Sequence, residues 1–168
     1  MTTAAPGVAC ITTCKRGIRA LLEGEAFLQA LAQVASEFAD ALPLPALATV
    51  TTSEKKTLGT LPLAEVHGLT SVRLGDAQWS RSRLHTIAIR FYVGGDDEED
   101  ITAQAERYVL AVRRMFEDEP DRQARLFPFV GGTVDVDTDD YDPIRQRQNA
   151  EPTLVKCATV VLLVRTVN

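Results

Sequence analysis

The sequence predicts an α+β domain: a single mostly antiparallel or mixed β-sheet with two main helices packed on one face. Three observations predict it. Leu84 to Val93 alternates Ile87, Ile89, Phe91 and Val93 against His85, Ala88, Arg90 and Tyr92, a period near two that reads as a strand. Ile101, Ala105, Tyr108, Val112 and Met115 follow at steps of four, three, four and three, which places them on one helix face. Thr153 to Val167 is apolar on both of its alternating faces, the pattern of a central or interface strand.

In chain order, residues 1 to 10 read as a flexible tail and 11 to 168 as one domain. Ile18, Leu21, Leu22, Leu28, Leu31, Val34 and Phe38 recur at helical spacing, and Pro43 and Pro45 stop that helix. Gly17 and Gly24 weaken its first half, because an interior glycine costs roughly 1 kcal/mol relative to alanine; the half begins late or kinks. Leu47 to Thr52 reads as a short strand, Ser53 to Thr60 as a loop, and Leu61 to His67 as a second strand with Pro62 at its start or on an edge. Residues 68 to 83 fit a long hairpin or a mobile loop.

The helix after Gly94-Gly95 opens on Asp96, Asp97, Glu98, Glu99 and Asp100, where unpaired amides and partial positive charge favour acids, and Asp97 or Asp100 is the expected N-cap. Arg107, Arg113 and Arg114 lie toward its other end, as the helix dipole favours. Past Pro120 the pattern reads as a helical turn over 121 to 127, then a strand from Phe129 to Asp137 bent at Gly131-Gly132. A turn over Asp139 to Pro143 and a polar loop from Arg145 to Pro152 precede the final strand.

Composition bounds the function. Hydrophobic content of 45% and charged content of 24% over 168 residues set disorder aside and support one core. The net charge of −5 argues against a nonspecific nucleic-acid binder. No apolar run approaches the ~20 residues needed to span a bilayer, and the N-terminus lacks a signal-peptide pattern, so cytosolic synthesis is expected. Cys10, Cys14 and Cys157 are an odd count and predict no disulfide framework.

Candidate chemistry is sparse. Asp135, Asp137, Asp139, Asp140 and Asp142 place alternating carboxylates on an extended segment, as a hard cation such as calcium requires. The EF-hand pattern fails, with Asp140 where the turn needs glycine and Gln146 where a bidentate glutamate belongs. Cys10 and Cys14 with Cys157, His67 and His85 form too loose a set for structural zinc. No G-x-S-x-G surrounds a serine, and neither double glycine has the flanks of a phosphate loop. No enzyme, metal or cofactor is therefore expected. A small metal-dependent enzyme using Asp135 to Asp142, and a monomeric adaptor binding through residues 160 to 164, are the readings of other classes.

Taken together, the helix ending in Leu42-Pro43, the short strands with Leu61-Pro62, the strand His85 to Arg90, the acid-led helix with Ala105 and Tyr108, and the terminal strand resemble tail terminator proteins of long-tailed bacteriophages. The resemblance covers most of residues 15 to 167 and rests on element order. It implies a non-enzymatic virion subunit, made in the host cytoplasm, that closes into a homohexameric ring and halts polymerisation of the tail tube. Its implied partners are other copies of itself, the tail tube protein and a head-completion or neck protein, with DNA passing through unread and no membrane involved. Another neck, head-completion or minor tail protein is the alternative. In such a ring Asp96, Asp97, Glu98, Glu99 and Asp100 are the candidate channel-lining residues, because acids facing the lumen repel phosphate.

Overall fold

Gly24 decides how the N-terminal apolar run folds. In the computed structural model, which describes residues 10–53, 58–75, 82–117 and 133–166, two helices stand where the sequence suggests one weakened helix. They are α1 (Ile11–Glu23) and α2 (Glu25–Glu37). Gly24 between them is extended at φ −94° and ψ 175°, so the helical path breaks there, and its N–H is retained by Leu21 O at 3.2 Å. The break lets each helix aim its own apolar stripe inward: Cys14, Ile18 and Leu22 from α1, and Phe27, Ala30, Leu31 and Val34 from α2.

The sheet begins with β1 (Thr49–Thr51), β2 (Leu63–Arg73) and β3 (Arg83–Gly95). The long helix α3 (Glu98–Glu117) comes next, and β4 (Thr133–Tyr141), β5 (Arg145–Gln146) and β6 (Leu154–Thr166) complete it. Strand order is β1-β2-β3-β6-β4, with β5 also beside β6. Among the described strands, only β1 and β2 pair in parallel; the other ladders are antiparallel. The α+β class, the mixed sheet and the helices on one face all agree with the sequence reading, with three helices among the described residues in place of two.

Several boundaries move, each because pairing outweighs local composition. β2 runs on to Arg73, held by β3 through Arg73 opposite Arg83, so the weakly patterned 68–83 region is a long hairpin whose tip lies outside the described residues. β4 extends to Tyr141, past the expected turn, with a bulge between Val136 and Asp139. The polar stretch after Pro143 contributes two residues to the sheet as β5. The expected helical turn over 121–127, the bend at Gly131-Gly132 and the tail over 1–9 lie outside the described residues.

The core lies between the helices and one sheet face. Ile87, Ile89, Phe91 and Val93 of β3 and Ala158, Val160, Leu162 and Val164 of β6 meet Ile101, Ala105, Tyr108, Val112 and Met115 of α3 there. Phe91 is stacked between Phe27 of α2 and Tyr108 of α3, with ring centroids 6.2 and 5.6 Å away. The Tyr108 hydroxyl donates to Pro45 O at 2.5 Å and Gln104 Nε2 to Pro43 O at 2.8 Å, which straps the segment after α2 across α3. α1 lies close enough to β2 that a Cβ on Gly68 would fall 2.6 Å from Ile11 Cδ1.

Candidate functional site

The three described helices pack on one face of the sheet, so among the described residues the strand residues of opposite parity meet no helix. Ala88, Arg90 and Tyr92 of β3 and Val155, Cys157, Thr159 and Val161 of β6 floor a groove on that second face. Thr138 and Asp140 of β4 wall it on one side, with Asp142, Pro143 and Arg145 to Arg147 along the end. Leu58 and Leu69 border the opposite side, and the open groove has a volume of about 720 Å³.

The groove mixes apolar floor with charge. Arg90 is half-buried at its centre, and among the described residues neither it nor Arg147 has a carboxylate partner. Arg145 Nη2 lies 3.7 Å from Asp142 Oδ2, an exposed pair of small energetic weight. Burial pushes the Cys157 thiol up, and Asp142 adds to the shift, so the sulfur stays protonated and is a poor nucleophile. Tyr92 is pushed up to about 12 by burial first, then by the Cys157 and Glu65 charges.

A buried polar group adjoins the groove. Glu65 is 3% exposed and its Oε2 lies 3.0 Å from His67 Nε2, while the Tyr92 hydroxyl donates to the same oxygen at 3.3 Å. Alternation puts Glu65 and His67 together, two residues apart on β2, and Tyr92 comes from the neighbouring strand. Sequence reasoning missed this trio and Arg90. The available signal was polar residues at i and i+2 in strands whose other face is apolar.

The residues singled out from sequence separate. Asp97 is the N-cap of α3: its Oδ1 accepts from the backbone N–H of Glu99 at 2.9 Å and of Asp100 at 3.0 Å. Asp96, Asp97, Glu98, Glu99 and Asp100 are all exposed at one end of the sheet. The aspartates from 135 to 142 are split by the β4 bulge. Asp139 turns to the helix side and accepts from Arg113 Nε at 3.0 Å and Nη2 at 2.8 Å, whereas Asp140 and Asp142 line the groove. Cys14 lies in the helix-side core with its thiol pushed up to about 11 by burial, while Cys10 is exposed. His85 is fully buried with Nε2 3.1 Å from Thr166 Oγ1. Among the described residues no three His, Cys, Asp or Glu side chains gather as a metal site.

No family model matches the chain, and no curated protein matches it. Among solved structures, a chain of one described as "Virion of native gene transfer agent (GTA) particle" is similar at 16% identity, with 89% of this chain and 98% of that chain covered and a TM-score of 0.38.

Proposed function

We propose that this chain is a structural subunit of a phage or phage-like particle that closes into a ring at the tail, in the manner of a tail terminator. The observation that carries the reading is the part of the second sheet face that stays accessible and that no helix covers among the described residues. Leu69 there is 51% exposed, and Leu84, Val161 and Leu163 are half-buried with no helix over them among the described residues. An apolar sheet face of this kind is covered when the subunit assembles. Head-to-tail contacts that close produce a ring. The groove supports binding more than catalysis, since its thiol is protonated and its histidine neighbour is tied to Glu65.

Size-exclusion chromatography with light scattering tests the reading. A closed species of about six subunits, seen as rings by negative-stain microscopy, is the expected result; a strict monomer at high concentration removes it. The exposed acids Asp96 to Asp100 are proposed to face the lumen. Reversing Asp96, Glu98, Glu99 and Asp100 to lysine, with the Asp97 cap kept, should make the ring retain short duplex DNA in a salt-sensitive manner. A reversed ring that ignores DNA at low salt ends that assignment.

A further inference from the structure

We infer that the groove on the second sheet face binds an acidic, extended segment of a partner polypeptide, with Arg90, Arg145 and Arg147 as its carboxylate anchors. The inference goes beyond the ring reading and does not depend on it. Five of the described arginines are at least partly buried. Arg107, Arg113 and Arg114 each meet a carboxylate, from Asp40, Asp139 and Glu37 respectively. Arg90 and Arg147 meet none among the described residues, and both line this groove. Glu65 stands directly across from Arg90 on β2, but its Oε2 is taken by His67 Nε2 at 3.0 Å and by the Tyr92 hydroxyl at 3.3 Å. A guanidinium held partly out of water gains most from an incoming carboxylate, through a charge-assisted and often bidentate bond.

The sheet sets the three arginines in a row. Arg90 pairs with Thr159, Arg145 pairs with Val155, and the Arg147 N–H bonds to Thr153 O at 2.6 Å. Thr159, Val155 and Thr153 share one parity on β6, so the arginines stand on one side of the sheet at steps of four and two residues, about 13 and 7 Å. Alternate residues of an extended chain repeat at the same interval of about 7 Å. Carboxylates at positions i, i+4 and i+6 of a peptide running along β6 therefore come level with Arg90, Arg145 and Arg147. Position i+2 falls over the paired Tyr92 and Cys157 on the groove floor and takes an apolar side chain. Such a row suits a chain of charges better than one small anion.

The opposite wall selects a peptide over a nucleic acid. Asp140 pairs with Thr159 and the Asp142 N–H bonds to Cys157 O at 3.0 Å, so both carboxylates line the groove beside the row of arginines. Successive phosphates of a nucleic acid would meet these acids, and the net charge of −5 opposes them as well. An extended peptide meets the same acids with backbone N–H groups, which donate to carboxylates. The exposed 3.7 Å contact of Arg145 with Asp142 is weak and yields to a closer carboxylate.

Fluorescence anisotropy tests the groove with the labelled peptide Ser-Glu-Thr-Leu-Thr-Glu-Thr-Glu-Ser and with its analogue carrying glutamine at each glutamate. The acidic peptide should bind with a dissociation constant of about 100 μM or tighter, and the glutamine analogue about tenfold more weakly. Arg90→Gln should weaken the acidic peptide by about tenfold, and Arg147→Gln, at the end of the groove, by about threefold. Arg147→Gln carries the test should Arg90→Gln not fold. Arg165→Gln removes the same charge from the same sheet face outside the groove and should change nothing. Equal binding of the glutamine analogue, equal binding of a short oligothymidylate, or no binding by the wild-type chain overturns the assignment. Loss of assembled rings in Arg90→Gln, with no peptide bound by the wild type, overturns it in favour of a contact between copies. A chain that binds the acidic peptide while staying monomeric keeps the groove and removes the ring.

Discussion

Asp97 is the clearest case of a residue whose role follows from chemistry at one position. Four consecutive amides open each helix unpaired, and its carboxylate takes two of them at α3. Asp97→Ala should destabilise the protein by about 1 kcal/mol in urea unfolding, and Asp100→Ala by clearly less, since Asp100 donates to the cap. Asp40 acts through Arg107, whose guanidinium stacks on the Phe38 ring at 4.0 Å and pairs with both Asp40 oxygens, Nη1 to Oδ1 at 2.8 Å. Arg107's hydrogen bonds hold the Asp40 carboxyl below its ordinary 3.8. A carboxyl lowered in the folded state stabilises it above the unfolded value and loses that contribution as pH falls through the folded one. Asp40→Asn should therefore flatten the acid limb of the urea midpoint as pH falls through and below the ordinary carboxylate range. Solvent exposure of the carboxylate keeps the effect small. The thiols divide in the same way. Cys10 is exposed, with its pKa lowered by hydrogen bonds from Thr13, and should react with a disulfide reagent in the native protein at neutral pH; Cys14 and Cys157 should react only on unfolding.

At the level of elements, β3 and α3 were readable because each repeats one period over many residues. All five positions expected on the inner face of α3 are at most 1% exposed, and a burial of this kind contributes roughly 1.5 to 3 kcal/mol for each of the larger side chains. Elements held by partners were harder to read. Gly68 to Arg73 has no apolar alternation of its own and is a strand because β3 supplies the ladder. The two residues of β5 are a strand only because β6 passes beside them. Gly94 shows how closely such elements meet: a Cβ there would fall 2.2 Å from Pro152 Cγ and 2.7 Å from Leu61 Cδ1. Gly94→Ala should lower the melting temperature by the equivalent of about 1 to 3 kcal/mol, measured against wild type by calorimetry. An unchanged melt would mean that the proline and leucine move aside freely.

At the scale of the fold, the decisive fact is that, among the described residues, the helices all lie on one sheet face and leave the other to Arg90, Tyr92, Cys157 and their aliphatic neighbours. The candidate cation cluster dissolves at this scale. Asp139 is held by Arg113 on the helix side, and Asp142 has Arg145 nearby on the other. Calcium at millimolar concentration, or its removal by a chelator, should leave the melting temperature unchanged; a stabilisation that saturates at one ion per chain would restore the metal reading.

The sequence by itself determined the class of fold, the strand and helix at its centre, the inner face of α3, the centrality of β6 and the acid-capped helix start. These depend on periodicity and on backbone chemistry within a few residues, which a single chain displays directly. Only the tertiary structure decided that Asp139 parts from Asp140 across a bulge, that Glu65, His67 and Tyr92 share one buried site, and that, among the described strands, β1 and β4 stand at the two ends of the sheet. Those depend on register between strands distant in sequence. A shift of one residue in that register exchanges the two faces, and no local pattern specifies it.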